Sequence, residues 1–181
     1  MVTGVRVRAP SSTANLGPGF DVFGLALDAY YDEVTLSKTN KSPANKPWHG
    51  VRILTTDDIP KNPQQNTAGL VVKSMKQKFK IKSGIEIRIK KGVPAGFGMG
   101  SSAASAAAAA LACNRLFNLK LDNKTLVKCA GIGEKASAGT IHYDNVAASL
   151  LGGFIVVKTK PFEVIRLEPP KDLILCIAIP K

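Results

Sequence analysis

Apolar and polar residues alternate from Gly84 to Lys90, with Ile85, Ile87 and Ile89 set against Glu86, Arg88 and Lys90. A period of two predicts a strand with one buried face. The alanine-rich run that reaches Ala112 has few β-branched residues and predicts a helix. Between the two lies Val93-Pro94-Ala95-Gly96-Phe97-Gly98-Met99-Gly100-Ser101-Ser102, so the order is strand, glycine loop, helix N-terminus. Another helix pattern opens at Thr67, where Ala68, Val71, Val72, Met75 and Phe79 share one face and lysines take the other. Asn66 stands at its N-cap position. A further helix is predicted from about Asn123 to Ala136, behind Asp122 as N-cap. Strand character marks Val5–Ala9, Tyr30–Thr39, Val51–Thr55, Leu150–Val157, Phe162–Leu167 and Leu173–Ile179. Polar, Gly- and Pro-rich stretches predict loops over Pro10–Gly19, Asn40–Gly50, Pro60–Asn66 and Ser137–Asn145.

The glycine loop carries the first chemical expectation. Glycines permit positive φ and close backbone approach. The first N–H groups of a helix lack internal partners, and the dipole adds partial positive charge there. Together they predict an anion site, most simply for phosphate. It is not the G-x-x-x-x-G-K-[ST] loop, because no lysine precedes Ser101 or Ser102. Gly98, Gly100 and Ala103 meet the dinucleotide pattern G-x-G-x-x-A, but no acid closes a second strand about 20 residues on.

Three other positions stand out. Asp21 sits within the apolar run Phe20, Val22, Phe23, Leu25 and Leu27, where a carboxylate caps its loop, finds partners or faces a cleft. Glu134 shares a helical face with Leu126 and Ala130. It reads either as a helix-end acid reaching solvent or a lysine, or as a magnesium ligand, since Mg²⁺ takes one or two carboxylates with substrate phosphates. His142, Asp144 and Asn145 crowd one loop. No G-x-S-x-G turn accompanies them, which argues against a Ser-His-Asp hydrolase. His49 and His142 are the only histidines, too few for a histidine metal site.

Pro94-x-x-x-Gly98-Met99-Gly100-Ser101-Ser102-Ala103 resembles the phosphate-binding motif of the GHMP kinases. Pro10-Ser11-Ser12-Thr13-Ala14-Asn15-Leu16-Gly17-Pro18-Gly19-Phe20-Asp21 and His142-Tyr143-Asp144-Asn145-Val146-Ala147 with Leu150-Leu151-Gly152-Gly153 are similar to the signatures of the branch of that family that acts on homoserine. The resemblance implies an α+β fold, the GHMP kinase N-terminal domain (ribosomal protein S5 domain 2-like), with a mostly antiparallel sheet covered by helices. It implies transfer of the γ-phosphoryl group of ATP to the hydroxyl of L-homoserine, in threonine biosynthesis. Pro94, Ala95, Gly96, Phe97, Gly98, Met99, Gly100, Ser101, Ser102, Ala103 and Ala104 would hold the nucleotide, with Asn66 near the adenine as well as at the helix cap. Ser102 and Glu134 would hold Mg²⁺. Asn15, Asp21, His142 and Asp144 would orient the substrate, with Asp21 at the accepting hydroxyl. The expected catalytic set is Asp21, Ser102 and Glu134. Another GHMP kinase, or a GHMP-fold binding module without catalysis, is the alternative.

Composition narrows the partners. The 181 residues carry a net charge of +12 and 45% are hydrophobic, enough for a real core. Attraction of a phosphorylated ligand accounts for a basic excess without nucleic acid, since no aromatic-plus-basic RNA motif occurs. Cys113, Cys129 and Cys176 are odd in number and far apart, which speaks against a disulfide framework and fits a reducing, cytoplasmic setting. No apolar run reaches the roughly 18 residues of a membrane helix, and no signal peptide is expected. Residues 1–160 are expected to form the ATP-binding domain and 161–181 to begin a C-terminal domain whose remainder lies outside this sequence. The oligomeric state stays open, with a homodimer admitted.

Overall fold

The computed structural model describes residues 4–39 and 50–179. The loop expected over Asn40–Gly50 falls, except for Gly50, outside the described residues, as does His49. Among the described residues, six strands and four helices follow in the order β1 (Gly4–Ala14), β2 (Phe23–Thr39), β3 (Val51–Leu54), α1 (Thr67–Lys78), β4 (Gly84–Lys90), α2 (Ser101–Leu116), α3 (Asn123–Gly131), a 3₁₀ turn (Ile132–Ala136), α4 (Asp144–Leu151), β5 (Phe154–Thr159) and β6 (Phe162–Leu167). The strands form one sheet in the order β3-β4-β2-β5-β6, with β1 also paired to β2. Only β3 and β4 run parallel, so the sheet is mostly antiparallel, as expected.

β2 is the spine of this sheet. One edge pairs with β1 from Gly24 to Ser37. On its other edge, residues 33–39 meet β4 and residues 23–25 meet β5. Residues 32, 34 and 36 face inward by the period of a strand, and Val34 and Leu36 are fully buried there. Against this face lies α2, whose Ala103, Ala104, Ala106 to Ala110, Ala112 and Cys113 have no solvent exposure. A helix that is apolar all round is a buried one. α1 and α3 flank it, each capped as the sequence predicts: Asn66 Oδ1 accepts from Gly69 N at 3.0 Å and Asp122 Oδ1 from Thr125 N at 2.8 Å. Lys76, on the exposed lysine face of α1, bends back to donate to Ile81 O and Ser83 O, both at 2.6 Å. These bonds tie the end of α1 to the start of β4.

Several boundaries differ from the sequence pattern: β2 begins at Phe23 rather than Tyr30, and α4 begins at Asp144, within the loop expected over Ser137–Asn145. β1 does not stop at Ala9 but runs through Pro10 to Ala14, because a register shift between Pro10 and Ser11 accommodates the residue that cannot donate. The helix expected to Ala136 ends as an α-helix at Gly131 and tightens into the 3₁₀ turn. Leu150 and Leu151, read as strand, close the short helix α4, which Gly152 ends at φ 72°. Leu173–Ile179 is not a strand: no described strand pairs with it, and Leu173, Ile174, Leu175 and Ile177 are exposed.

α4 packs directly on β2 at Gly24, where an added Cβ would lie 2.4 Å from the carbonyl oxygen of Asp144. Gly24→Ala is expected to cost about 1–3 kcal/mol through overpacking against backbone that cannot yield. Urea unfolding followed by circular dichroism measures this, and an unchanged midpoint would contradict the close packing.

Candidate functional site

The loop from Val93 to Gly100 holds its shape through three glycines in the left-handed region, Gly96, Gly98 and Gly100 at φ 84°, 69° and 66°. At Gly96 and Gly98 a Cβ would meet nothing, so backbone conformation alone demands glycine. At Gly100 a Cβ would also strike Ser12 Oγ at 2.2 Å. Ser12 N donates to Met99 O at 3.1 Å and Ser101 Oγ to Val93 O at 3.0 Å, so the loop is pinned at its far side and closed at its neck. Gly100 caps α2 without any side-chain hydrogen bond, and the helix's own ladder opens with Ala104 N donating to Gly100 O at 2.9 Å. The N–H groups ahead of Ala104 belong to the first turn, where a helix offers its positive end.

That turn faces an open pocket of about 550 Å³. Pro94, Ala95, Gly96, Gly98, Met99, Gly100, Ser101 and Ser102 line it, with Ile59, Pro60 and Asn66 on one side and Ser137 and Asn145 on another. Asn66 therefore fulfils its capping role and borders the pocket too, while its Nδ2 donates to Pro60 O at 2.9 Å. Phe97 is about half exposed and does not line the pocket. Ala103 and Ala104 lie wholly buried behind the loop, and with its N–H taken by Gly100, Ala104 supports the loop from beneath rather than facing the pocket.

Glu134, on the 3₁₀ turn, is buried and meets the pocket through Ser102, which lines it. Gly131 and Gly133 let this turn approach closely: an added Cβ would lie 2.5 Å from the Tyr143 ring and 2.9 Å from Ala106 Cβ respectively. Ser102 Oγ donates to Glu134 Oε2 at 3.2 Å, while the buried Oε1 has no partner. Burial pushes the Glu134 carboxyl above its ordinary range, and the Ser102 bond offsets part of that shift. A desolvated carboxylate oxygen left unpaired beside a hydroxyl suits a hard cation that prefers oxygen ligands. No group of three or more His, Cys, Asp or Glu side chains gathers among the described residues, so a cation here would draw its other ligands from elsewhere, as Mg²⁺ does with phosphate and water.

The remaining predicted residues converge from two distant stretches. Asn15 and Asp21 both hold positive φ, 59° and 57°, and Asp21 N donates to Asn15 Oδ1 at 3.0 Å. Asp21 Oδ1 lies 3.0 Å from His142 Nδ1, and His142 Nε2 lies 2.7 Å from Thr140 Oγ1. Asp144, the first residue of α4, is buried and accepts from Asn145 N at 2.7 Å. Burial raises the Asp144 carboxyl above its usual range, and the nearby Asp21 charge adds to the rise.

Sequence reasoning missed Asp32, Lys91 and Ser105, which form a buried polar cluster under the loop. The inward parity of residue 32 with Val34 and Leu36 was the available signal. It also missed Ser12 and Ser149, which brace Asn145: Ser12 Oγ donates to Asn145 Oδ1 at 2.9 Å and Ser149 Oγ to Ser12 Oγ at 3.1 Å.

Fold and site define a class: an α+β domain that presents a helix N-terminus without a side-chain cap and a glycine loop to an open pocket. Residues 66–153 match the model of the GHMP kinases N terminal domain, so the chain carries a domain of this family. It is 49% identical over 162 residues to a homoserine kinase of Thermoplasma volcanium, covering 90% of this chain and 49% of that protein. A homoserine kinase of Methanopyrus kandleri is 48% identical over 92% of this chain and 52% of its own length. The chain thus spans about half the length of these curated relatives. The crystal structure of homoserine kinase from Cytophaga hutchinsonii superposes with a TM-score of 0.83 at 39% identity, over 94% of this chain and 53% of that one. A mevalonate kinase of Methanococcus jannaschii, at 16% identity and TM-score 0.70, shares the fold.

A group whose folded pKa lies above its unfolded value gives its stability at low pH and loses it as pH rises through the folded pKa. Asp144 is such a group, so Asp144→Asn is expected to stabilise the protein at pH 7. The gain should shrink as pH falls toward the ordinary aspartate value, 3.8. Thermal unfolding of both proteins across that range measures it, and a gain that grows on acidification would reverse the assigned sign.

Proposed function

We propose that these residues carry the nucleotide half, and part of the acceptor half, of a kinase that transfers the γ-phosphoryl group of ATP to the hydroxyl of L-homoserine. The supporting observation is the convergence of Asn15, Asp21, His142 and Asp144, together with relatives up to 49% identical that are homoserine kinases. The glycine loop and the first turn of α2 would bind the phosphates, and the Asn66 side of the pocket would take the base. Ser102 and Glu134 would hold Mg²⁺, which when bound neutralises charge on the transferring phosphates. His142 engages Asp21 Oδ1, leaving the other carboxylate oxygen for the acceptor hydroxyl; Asp21 orients that hydroxyl and need not remove its proton. Phosphoryl transfer relies mainly on positioning and electrostatics, which is what these side chains provide. The rest of the substrate site is assigned to the half of the longer relatives that this chain does not cover.

Calorimetric titration tests this reading. Mg-ATP is expected to bind, and L-homoserine to bind more tightly once ATP is present. Glu134→Gln should keep metal-free ATP affinity and lose the gain that magnesium adds. A folded sample that binds no ATP would remove the nucleotide assignment, and ATP binding indifferent to homoserine would remove the acceptor assignment.

A further inference from the structure

Asp32 has no solvent exposure, yet all its capacity is used. Its Oδ1 accepts the N–H groups of Gly92 and Val93, each at 3.0 Å. Its Oδ2 accepts the Ser105 hydroxyl at 2.6 Å and the Lys91 ammonium. An ammonium has three hydrogens. Lys91 spends them on Asp32, on Ser101 O at 2.8 Å and on Ser105 Oγ at 3.0 Å. Lys91 borders the pocket, but its charge is engaged from below rather than offered to a ligand.

The partners of this cluster are the two ends of the glycine loop. Gly92 and Val93 begin it; Ser101 and Ser105 follow it on the first turns of α2. The Ser101 Oγ to Val93 O bond joins the same two ends. A fully satisfied buried network of this kind is rigid. Donors fixed before the ligand arrives stabilise charge without reorganising, and a misplacement of about 1 Å can cost a hundredfold in rate.

We propose that Asp32, acting through Lys91 and Ser105, is the positioning residue of the phosphate loop: it locks the loop's entry to its exit so that the helix N–H groups already face the incoming phosphate. This rests on the phosphate-binding reading given above. Asp32 touches no ligand. The rival roles are a purely structural ion pair and a simple counter-charge to Lys91.

Inorganic tripolyphosphate, which has neither base nor acceptor, is the probe. Its affinity is measured by calorimetry for the chain, Ser105→Ala, Ser105→Thr and Asp32→Asn, well below each protein's thermal midpoint. Loss of the two hydrogen bonds that Ser105 Oγ makes to Asp32 and Lys91 should weaken binding about three- to tenfold in Ser105→Ala. Ser105→Thr, which keeps the hydroxyl, should restore it. Asp32→Asn should weaken it by about tenfold or more, since an amide cannot accept from all four donors. If Asp32→Asn does not fold, the Ser105 pair decides alone. Variants that are less stable but bind as the parent does would make the cluster merely structural, and tighter binding by Asp32→Asn would make it a counter-charge. Either result overturns this proposal alone. A parent chain that binds neither tripolyphosphate nor Mg-ATP overturns the nucleotide assignment with it.

Discussion

The alanines of α2 put only methyl groups between that helix and β1 and β2 on one side and its neighbouring helices on the others. Close approach on every side fixes the helix axis, and with it the point where its positive end emerges. A bulkier helix would bury more apolar area per residue but would stand further from the sheet, lifting the glycine loop away from Ser12 and from the Asp32 cluster. The same closeness recurs at Gly24 under α4, at Gly131 beside Tyr143 and at Gly133 beside α2, where any side chain would collide. Each contact brings one functional element, the loop, Asp144 or Glu134, to within hydrogen-bonding or electrostatic range of the others.

Local signals were strong where local physics decides. The alternation of β4, the alanine composition of α2 and the caps Asn66 and Asp122 each depend on neighbours within a turn or two, so a reader of the chain finds them. α4 has only eight residues, too few for a helical period to show against Leu150, Leu151 and the strand that follows. Leu173–Ile179 carries strand composition, but a strand exists only with a partner, and no composition supplies one. Pro10 ended a strand in the pattern and does not in the fold, because a bulge is a property of two strands in register. In the site, the glycine loop, Ser102 and Glu134 were legible as a motif with its acid. The Asp32 cluster was not, since residues 32, 91 and 105 share no spacing and meet only when β2, β4 and α2 stack.

Four carboxylates around this site show how environment sorts one chemistry into different tasks. Asp32 is fully buried and meets four donors, so its charge is compensated and it can serve the fold. Asp21 is exposed and shares one oxygen with His142, so it stays available to a partner from solution. Glu134 and Asp144 are buried, Glu134 with one carboxylate oxygen unpaired, and both have carboxyls displaced upward by desolvation. An under-satisfied buried charge lowers stability, and a fold can carry it only if the rest of the structure offsets the cost. Both kinds of acid lie within the same few residues: the closed network of Asp32 joins the two ends of the loop, while Glu134 keeps an unpaired oxygen beside Ser102, which lines the pocket. On the proposed reading, the unpaired oxygen of Glu134 is where binding energy is to be gained, and the satisfied Asp32 is what keeps that place in register.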